Sequence, residues 1–162
     1  MLRTLTISTL LVLSLALGGC KDHRKAAENL SAGQTFLAQN AGKPGVKTLP
    51  DGVQYEVVRS GPASGLQPKK GDLLKVHYEG KLTTGEIFDS SYERGAPAVM
   101  ELDQLVPAWM EVLPMMRPGD EWRLYVPPEQ GYGENGAGPI PPNSVLIFRI
   151  ELIDVLPVKT LG

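Results

Sequence analysis

Val76-His77-Tyr78-Glu79-Gly80 is a strand that delivers a tyrosine, and Phe88-Asp89-Ser90-Ser91, starting eight residues after that glycine, is a return strand that delivers a phenylalanine beside an aspartate. The first belongs to a longer alternating run, Leu74, Val76, Tyr78, Gly80 and Leu82, whose period of two is that of a half-buried strand. Tyr78 therefore falls on the buried face and His77 on the opposite one. Thr84-Gly85-Glu86 supplies the hairpin connection.

Downstream, Val99 to Leu102 is a short extended piece, and Pro107 opens a helix at the position where a missing N–H costs nothing. Val106, Trp109, Met110 and Leu113 are expected on one face of that helix, which Pro118-Gly119 ends. Trp122, Leu124 and Val126 alternate as another strand. A loop then holds nine Gly and Pro residues between Pro127 and Pro142, and Phe148, Ile150 and Leu152 form a last strand. Upstream, Val53, Tyr55 and Val57 alternate as the first. The sum is an α+β fold, a twisted antiparallel sheet of about five strands wrapped around one short helix that covers its apolar face. Residues 51–156 read as one unit, with 157–162 as a C-terminal tail.

The N-terminal third is different. Met1-Leu2-Arg3 is a short basic start, and Leu5 to Leu17 is an apolar run of secretory length, too short for a stable membrane span. It ends in Leu17-Gly18-Gly19-Cys20, where two small residues precede the chain's one cysteine. The pattern resembles the lipobox of bacterial lipoproteins. The expectation is a signal peptide over 1–19, lipidation at Cys20, and a lipid-anchored linker over 20–50. Lys21, rather than aspartate, follows the cysteine, which leans towards the outer membrane of a bacterial envelope, facing the periplasm or the surface. Ala26, Ala27, Leu30, Phe36 and Leu37 predict a short helix from Arg24 to Asn40, outside the main domain. Alone such a helix is marginal in water, so it packs on the domain, packs on another copy, or frays.

Composition narrows the chemistry. With 162 residues, 42% hydrophobic and 21% charged, the chain is a folded globular protein of one domain. A formal net charge of -2, with no basic face, sets nucleic acid aside. Two histidines and one cysteine leave no ligand set for a metal, and no cofactor motif is present: the glycines at 131–136 lack the G-K-[ST] of a phosphate loop. A serine nucleophile would need a base, yet His77 alternates away from the pocket. Aromatics with a single carboxylate, Asp89, suit the binding of something small, apolar and cyclic better than acid/base work.

Six ordered blocks, V-H-Y-E-G, F-D-S-S, L-V-P-A-W, Y-G-E-N-G, I-P-P-N-S and L-I-F-R-I-E-L, resemble the FKBP-type peptidyl-prolyl cis-trans isomerases across residues 51–156. The preceding segment resembles the entry to the catalytic domain of Mip-like members. The resemblance implies an isomerase of X-Pro peptide bonds in exported or periplasmic polypeptides. Its site would be Tyr78, Phe88, Asp89, Val106, Trp109, Tyr132, Ile140 and Phe148, with Trp109 as floor and the Val106 N–H and Tyr132 hydroxyl holding substrate carbonyls. It also implies macrolide binding, weakened by two departures expected at the pocket rim, Ala98 and Pro139. Mip-like relatives commonly carry a long dimerising N-terminal region. Only about thirty residues separate Cys20 from Pro50 here, so a monomer is expected rather than a dimer. The alternative from a different class is a non-catalytic module or holdase that grips proline-containing segments.

Overall fold

The structure, a computed structural model, describes residues 18–157. The expected leader through Leu17 and the tail beyond Pro157 lie outside the described residues.

Helix α1 runs Gly18–Ala41 and is followed by strands β1 Val46–Thr48, β2 Gln54–Arg59, β3 Leu73–Leu82, β4 Ile87–Ser90 and β5 Ala98–Glu101. Helix α2 is Pro107–Val112, continued by one 3-10 turn, and β6 Glu121–Val126 and β7 Leu146–Leu156 complete the chain. The sheet has seven strands in the order β1-β2-β6-β7-β3-β4, with β5 also paired to β3, and every pairing is antiparallel. The sequence pattern gives about five because β1 has three residues, half-buried or exposed, with no alternation to betray it, and the four residues of β5 read only as a short extended piece.

β3 is the spine. It pairs with β7 along its whole length, from Leu73 opposite Leu156 to Leu82 opposite Leu146, and its other edge takes β5 and then β4. Its alternation is as expected: Leu74, Val76, Tyr78, Gly80 and Leu82 are buried, and the residues between them are not. The inward residues of β2, β3, β6 and β7 enclose Ala108, Trp109, Val112 and Leu113 of the α2 segment. Met110, expected on the same face, is exposed, because six residues of helix followed by a tighter turn present only one narrow stripe to the sheet.

Helix α1 is longer than the apolar spacing suggests, and it packs on the domain. Its covered stripe is Ala26, Asn29, Leu30, Gly33, Phe36, Leu37 and Asn40, a helical repeat in which three positions are not hydrophobic. Asn40 is fully buried, and its Nδ2 donates to Gln54 Oε1 at 2.9 Å; Gln54 Nε2 in turn donates to the Leu37 carbonyl at 2.9 Å. Phe36 packs beside Tyr125 with ring centroids 6.0 Å apart. Polar contacts of this kind carry no hydrophobic signature.

Candidate functional site

One cavity of about 210 Å³ opens where β3, β4, β5 and β7 meet the start of α2. Its walls include Tyr78, Phe88, Asp89, Val106, Trp109, Tyr132 and Phe148, seven of the eight residues expected from the sequence. Ile140 lines an adjoining concavity that shares Phe88, Asp89 and Tyr132 with the first. Pro139 lies in that second concavity too. Ala98 lines neither; it pairs with Val76 and packs on the core, while Met100, two residues on and so on the same side of the strand, reaches the cavity.

Each wall is set by its local structure. β3 alternation aims Tyr78 inwards. Val106 caps α2 in an extended conformation and Pro107 starts the helix, which brings Trp109 to the cavity's inner end, 4% exposed. The Val106 carbonyl accepts from the Trp109 N–H at 2.9 Å, whereas the Val106 N–H donates to no backbone carbonyl of the described residues. Trp109 meets Phe148 at 5.2 Å and 83° and Tyr78 at 5.3 Å and 85°, and Phe88 meets Phe148 at 5.7 Å and 88°. Three successive edge-to-face contacts satisfy the ring quadrupoles and hold the walls perpendicular to one another. Tyr132, 41% exposed, stands at the mouth.

The polar lip is a triad. Tyr78 Oη donates to Asp89 Oδ2 at 2.5 Å, Arg94 Nη2 donates to Tyr78 Oη at 2.9 Å, and Arg94 Nη1 pairs with Asp89 Oδ1. The Arg94 guanidinium also stands 5.4 Å from the centre of the Tyr78 ring. Burial, together with the bond to Asp89, pushes the Tyr78 hydroxyl above its ordinary value. Burial acts on the Asp89 carboxyl upwards, but hydrogen bonds from Tyr78 and Arg94 and the charge of Arg94 outweigh it and hold the group below its usual value. The tyrosine thus stays protonated and the aspartate stays ionised, each already committed to a partner.

Behind the lip, Ser91 Oγ accepts from the Tyr78 N–H at 2.8 Å and lies 2.9 Å from His77 Nδ1. His77 sits on the outer face, stacked on Tyr92 at 4.5 Å, as the alternation requires. Ser90 and Ser91 are turn-building residues: Ser90 Oγ accepts from the Glu93 N–H at 3.3 Å.

Sequence reasoning misses Arg94, Met100, Gln104, Leu105 and the part played by Gly80. Nothing in the local pattern separates Arg94 from any exposed turn residue. Gly80 does carry a signal, since a glycine inside a strand marks a close approach.

A seven-stranded antiparallel sheet folded over one short helix, with an aromatic cavity at the helix start, is an FKBP-type architecture. The family model described as FKBP-type peptidyl-prolyl cis-trans isomerase matches residues 65–153, and that of the domain amino terminal to it matches 19–57. The chain belongs to the FKBP-type peptidyl-prolyl cis-trans isomerase family. It is 48% identical over 128 residues to the peptidyl-prolyl cis-trans isomerase Mip of Coxiella burnetii, covering 78% of this chain and 55% of that one. It is 44% identical over 135 residues to FkpA of Aeromonas hydrophila, covering 83% and 50%. The crystal structure of FkpA from Escherichia coli superposes with a TM-score of 0.82 at 41% identity, over 86% of this chain and 64% of that one. The chain thus spans about half the length of these curated relatives.

Proposed function

We propose that this chain catalyses rotation about X-Pro peptide bonds, and that the aromatic cavity is where it does so. The observation that carries the reading is the cavity itself: perpendicular aromatic walls around a space of about 210 Å³, whose acidic group is already paired with Arg94 and Tyr78. Such a space suits a proline ring and its adjoining amide, being smaller than the roughly 300 Å³ and more of sites for drug-sized ligands.

The physical task is to help an amide lose its planarity. Uncatalysed, the rotation crosses a barrier of about 18 to 20 kcal/mol and takes tens to hundreds of seconds. A twisted amide is less dipolar than a planar one, so transfer from water to an apolar cleft favours the transition state over the ground state. Trp109 is the floor and Tyr78, Phe88 and Phe148 the walls. The Val106 N–H and the Tyr132 hydroxyl fix substrate carbonyls, and Ile140 holds the flanking residue from its adjoining concavity. Asp89 and Arg94 orient Tyr78 and shape the field, without proton transfer. An acceleration of about 10⁵ asks for roughly 7 kcal/mol, a reasonable joint contribution of desolvation and orientation.

The wider reading rests on the sequence and on relatives. Residues 1–19 act as a lipoprotein signal peptide, Cys20 becomes the acylated N-terminus, 20–50 tethers the catalytic unit of 51–156, and 157–162 is a tail. The protein is then a monomer on the bacterial envelope, probing exported or periplasmic polypeptides; a relative from Legionella longbeachae bears the name outer membrane protein MIP. Macrolides are the inhibitors the family resemblance implies.

A refolding reaction limited by proline isomerisation tests the core claim, run with the purified chain and with folded Asp89→Val and Trp109→Ala variants. Acceleration by the wild type and little by the Trp109 variant is expected. No acceleration by the wild type would leave a proline-binding module or holdase, and equal acceleration by all three would overturn the assignment of the cavity. Mass spectrometry of the mature N-terminus reads the lipid on Cys20; an unmodified cysteine there refutes it.

A further inference from the structure

The loop that carries Tyr132 and Ile140 is held at its far end by α1. Asn29 Nδ2 donates to the Pro142 carbonyl at 2.9 Å, and Asn143 Nδ2 donates to the Ala26 carbonyl at 3.2 Å. The two amides therefore bridge helix and loop in opposite directions, across more than a hundred residues of sequence. One helical turn on from Asn29, Gly33 lets Val145 come so close that a Cβ on the glycine would stand 2.7 Å from Val145 Cγ2. Both Asn29 and Gly33 lie in the covered stripe of the helix, so the contact is built into its register.

From this seam the constraint runs straight to the cavity. Asn143 has a φ of 54°, and it is the one non-glycine residue among those described in the left-handed region, which asparagine tolerates better than most. Its N–H donates to the Gly133 carbonyl at 3.0 Å, next to Tyr132. Ala137 and Ile140 exchange N–H to carbonyl bonds of 3.0 and 2.9 Å, closing the tip of the loop. Gly136, with a φ of 66°, makes that closure feasible, since a Cβ there would fall 2.1 Å from the Ile140 carbonyl oxygen.

We propose that Asn29, Gly33 and Asn143 form a latch by which the N-terminal helix positions the substrate-binding loop, and so sets how tightly the protein grips the residues flanking proline. None of the three lines the aromatic cavity. They are positioning residues, and the helix is part of the binding apparatus rather than a spacer. The proposal builds on the isomerase reading above, through Tyr132 and Ile140. Because the held loop supplies the mouth and not the floor, loosening it weakens binding while the desolvating walls remain.

The test uses the full chain and three variants. Asn29→Ala removes one bridge. Asn143→Gly keeps the left-handed backbone and removes the other bridge, so it separates the contact from the conformation. Gly33→Ala wedges the helix away from Val145. For a proline-containing peptide each is expected to raise KM by about fivefold with kcat within about twofold, the signature of lost uniform binding. Amide hydrogen exchange is read in parallel at Ile140 in all three variants and at Asn143 in the two that retain it, and faster exchange there is expected. Unchanged protection at those amides overturns the latch whatever the activity. Lost protection with unchanged KM overturns its link to substrate grip. If the wild type itself shows no isomerase activity, the functional reading falls, and peptide affinity by calorimetry then decides the latch: tighter binding by wild type than by the variants supports it, and equal binding overturns it.

Discussion

Gly80 and Phe88 are in such close contact that a Cβ built on the glycine would stand 2.6 Å from two carbons of the ring. Phe148, directly opposite Gly80 in the β3–β7 pairing, would be met at 2.8 Å. The spine strand thus thins at the one point where two aromatic walls lean across it. Gly80→Ala is expected to cost about 1 to 3 kcal/mol through overpacking. Displaced rings would also reshape the cavity, so kcat/KM should fall by at least about tenfold even where the variant stays folded. Denaturant unfolding and a peptide isomerisation assay read the two effects. A variant with unchanged stability and full activity would show that the rings yield freely.

Tyr78 and Asp89 form one unit with Arg94, which makes their effects non-additive. The Asp89–Arg94 pair is substantially exposed and screened by solvent, so its removal should change stability little. Activity is another matter, because the pair fixes the tyrosine that walls the cavity. Tyr78→Phe and Asp89→Val are each expected to lower kcat/KM by about tenfold, and the double variant by little more than either alone. A double variant down by the product of the two would show that they act separately.

The same pairing predicts how activity depends on pH. Burial and Asp89 hold the Tyr78 hydroxyl above its ordinary value, and its bonds to Tyr78 and Arg94 hold Asp89 below its own despite burial. Neither group changes charge in the neutral range, so kcat/KM should be flat between about pH 5 and 9. For stability the sign follows from the depressed carboxyl: the contribution of Asp89 is present above its unfolded value and is lost as pH falls through the folded one. A bell-shaped profile centred near neutrality would argue for proton transfer and against this mechanism.

Much of this architecture is visible in the sequence, and the reasons it stops are physical. Period-two alternation betrays β3 because one face is wholly buried and the other is not. Pro107 marks the start of α2, and Tyr78 and Trp109 stand at inward positions of those two elements. What escapes is whatever depends on a partner distant in sequence. Arg94 matters because it reaches back to Tyr78, and Asn29 because it meets Pro142. β1 escapes because three residues hold no period, and Met110 escapes the shared face read for it because a six-residue helix is too short to show which side it turns to the sheet.

Glu111 offers a prediction away from the cavity. Its carboxyl on α2 hydrogen-bonds that of Asp51, and that bond, with burial and the repulsion of Asp51, pushes it up to about 7. A carboxyl raised above its unfolded value contributes stability that is fully present below that unfolded value and is lost as pH rises through the folded one. Glu111 is exposed, so solvent screens most of this. Glu111→Gln should therefore be nearly neutral near pH 5 and stabilising near pH 8, by about 1 kcal/mol or less. Thermal melts at the two pH values check the sign, and a variant destabilised at pH 8 would show that the Glu111 carboxyl is not raised as described.

Asn40 is the deepest polar anchor of α1, and it separates a docked helix from a loose one. It is fully buried, and its amide is the donor to Gln54 Oε1 while Gln54 holds the Leu37 carbonyl. Asn40→Ala would leave the Gln54 oxygen buried without that donor, a loss of about 1 to 3 kcal/mol. Asn40→Asp should cost more, since it replaces the donor with a charge facing another acceptor. If α1 and the sheet unfold together, both variants shift one cooperative transition; if α1 detaches first, they split it, with the early step visible as faster hydrogen exchange confined to the helix. A wild-type melting curve left unchanged by Asn40→Asp would show that α1 contributes nothing to the folded domain.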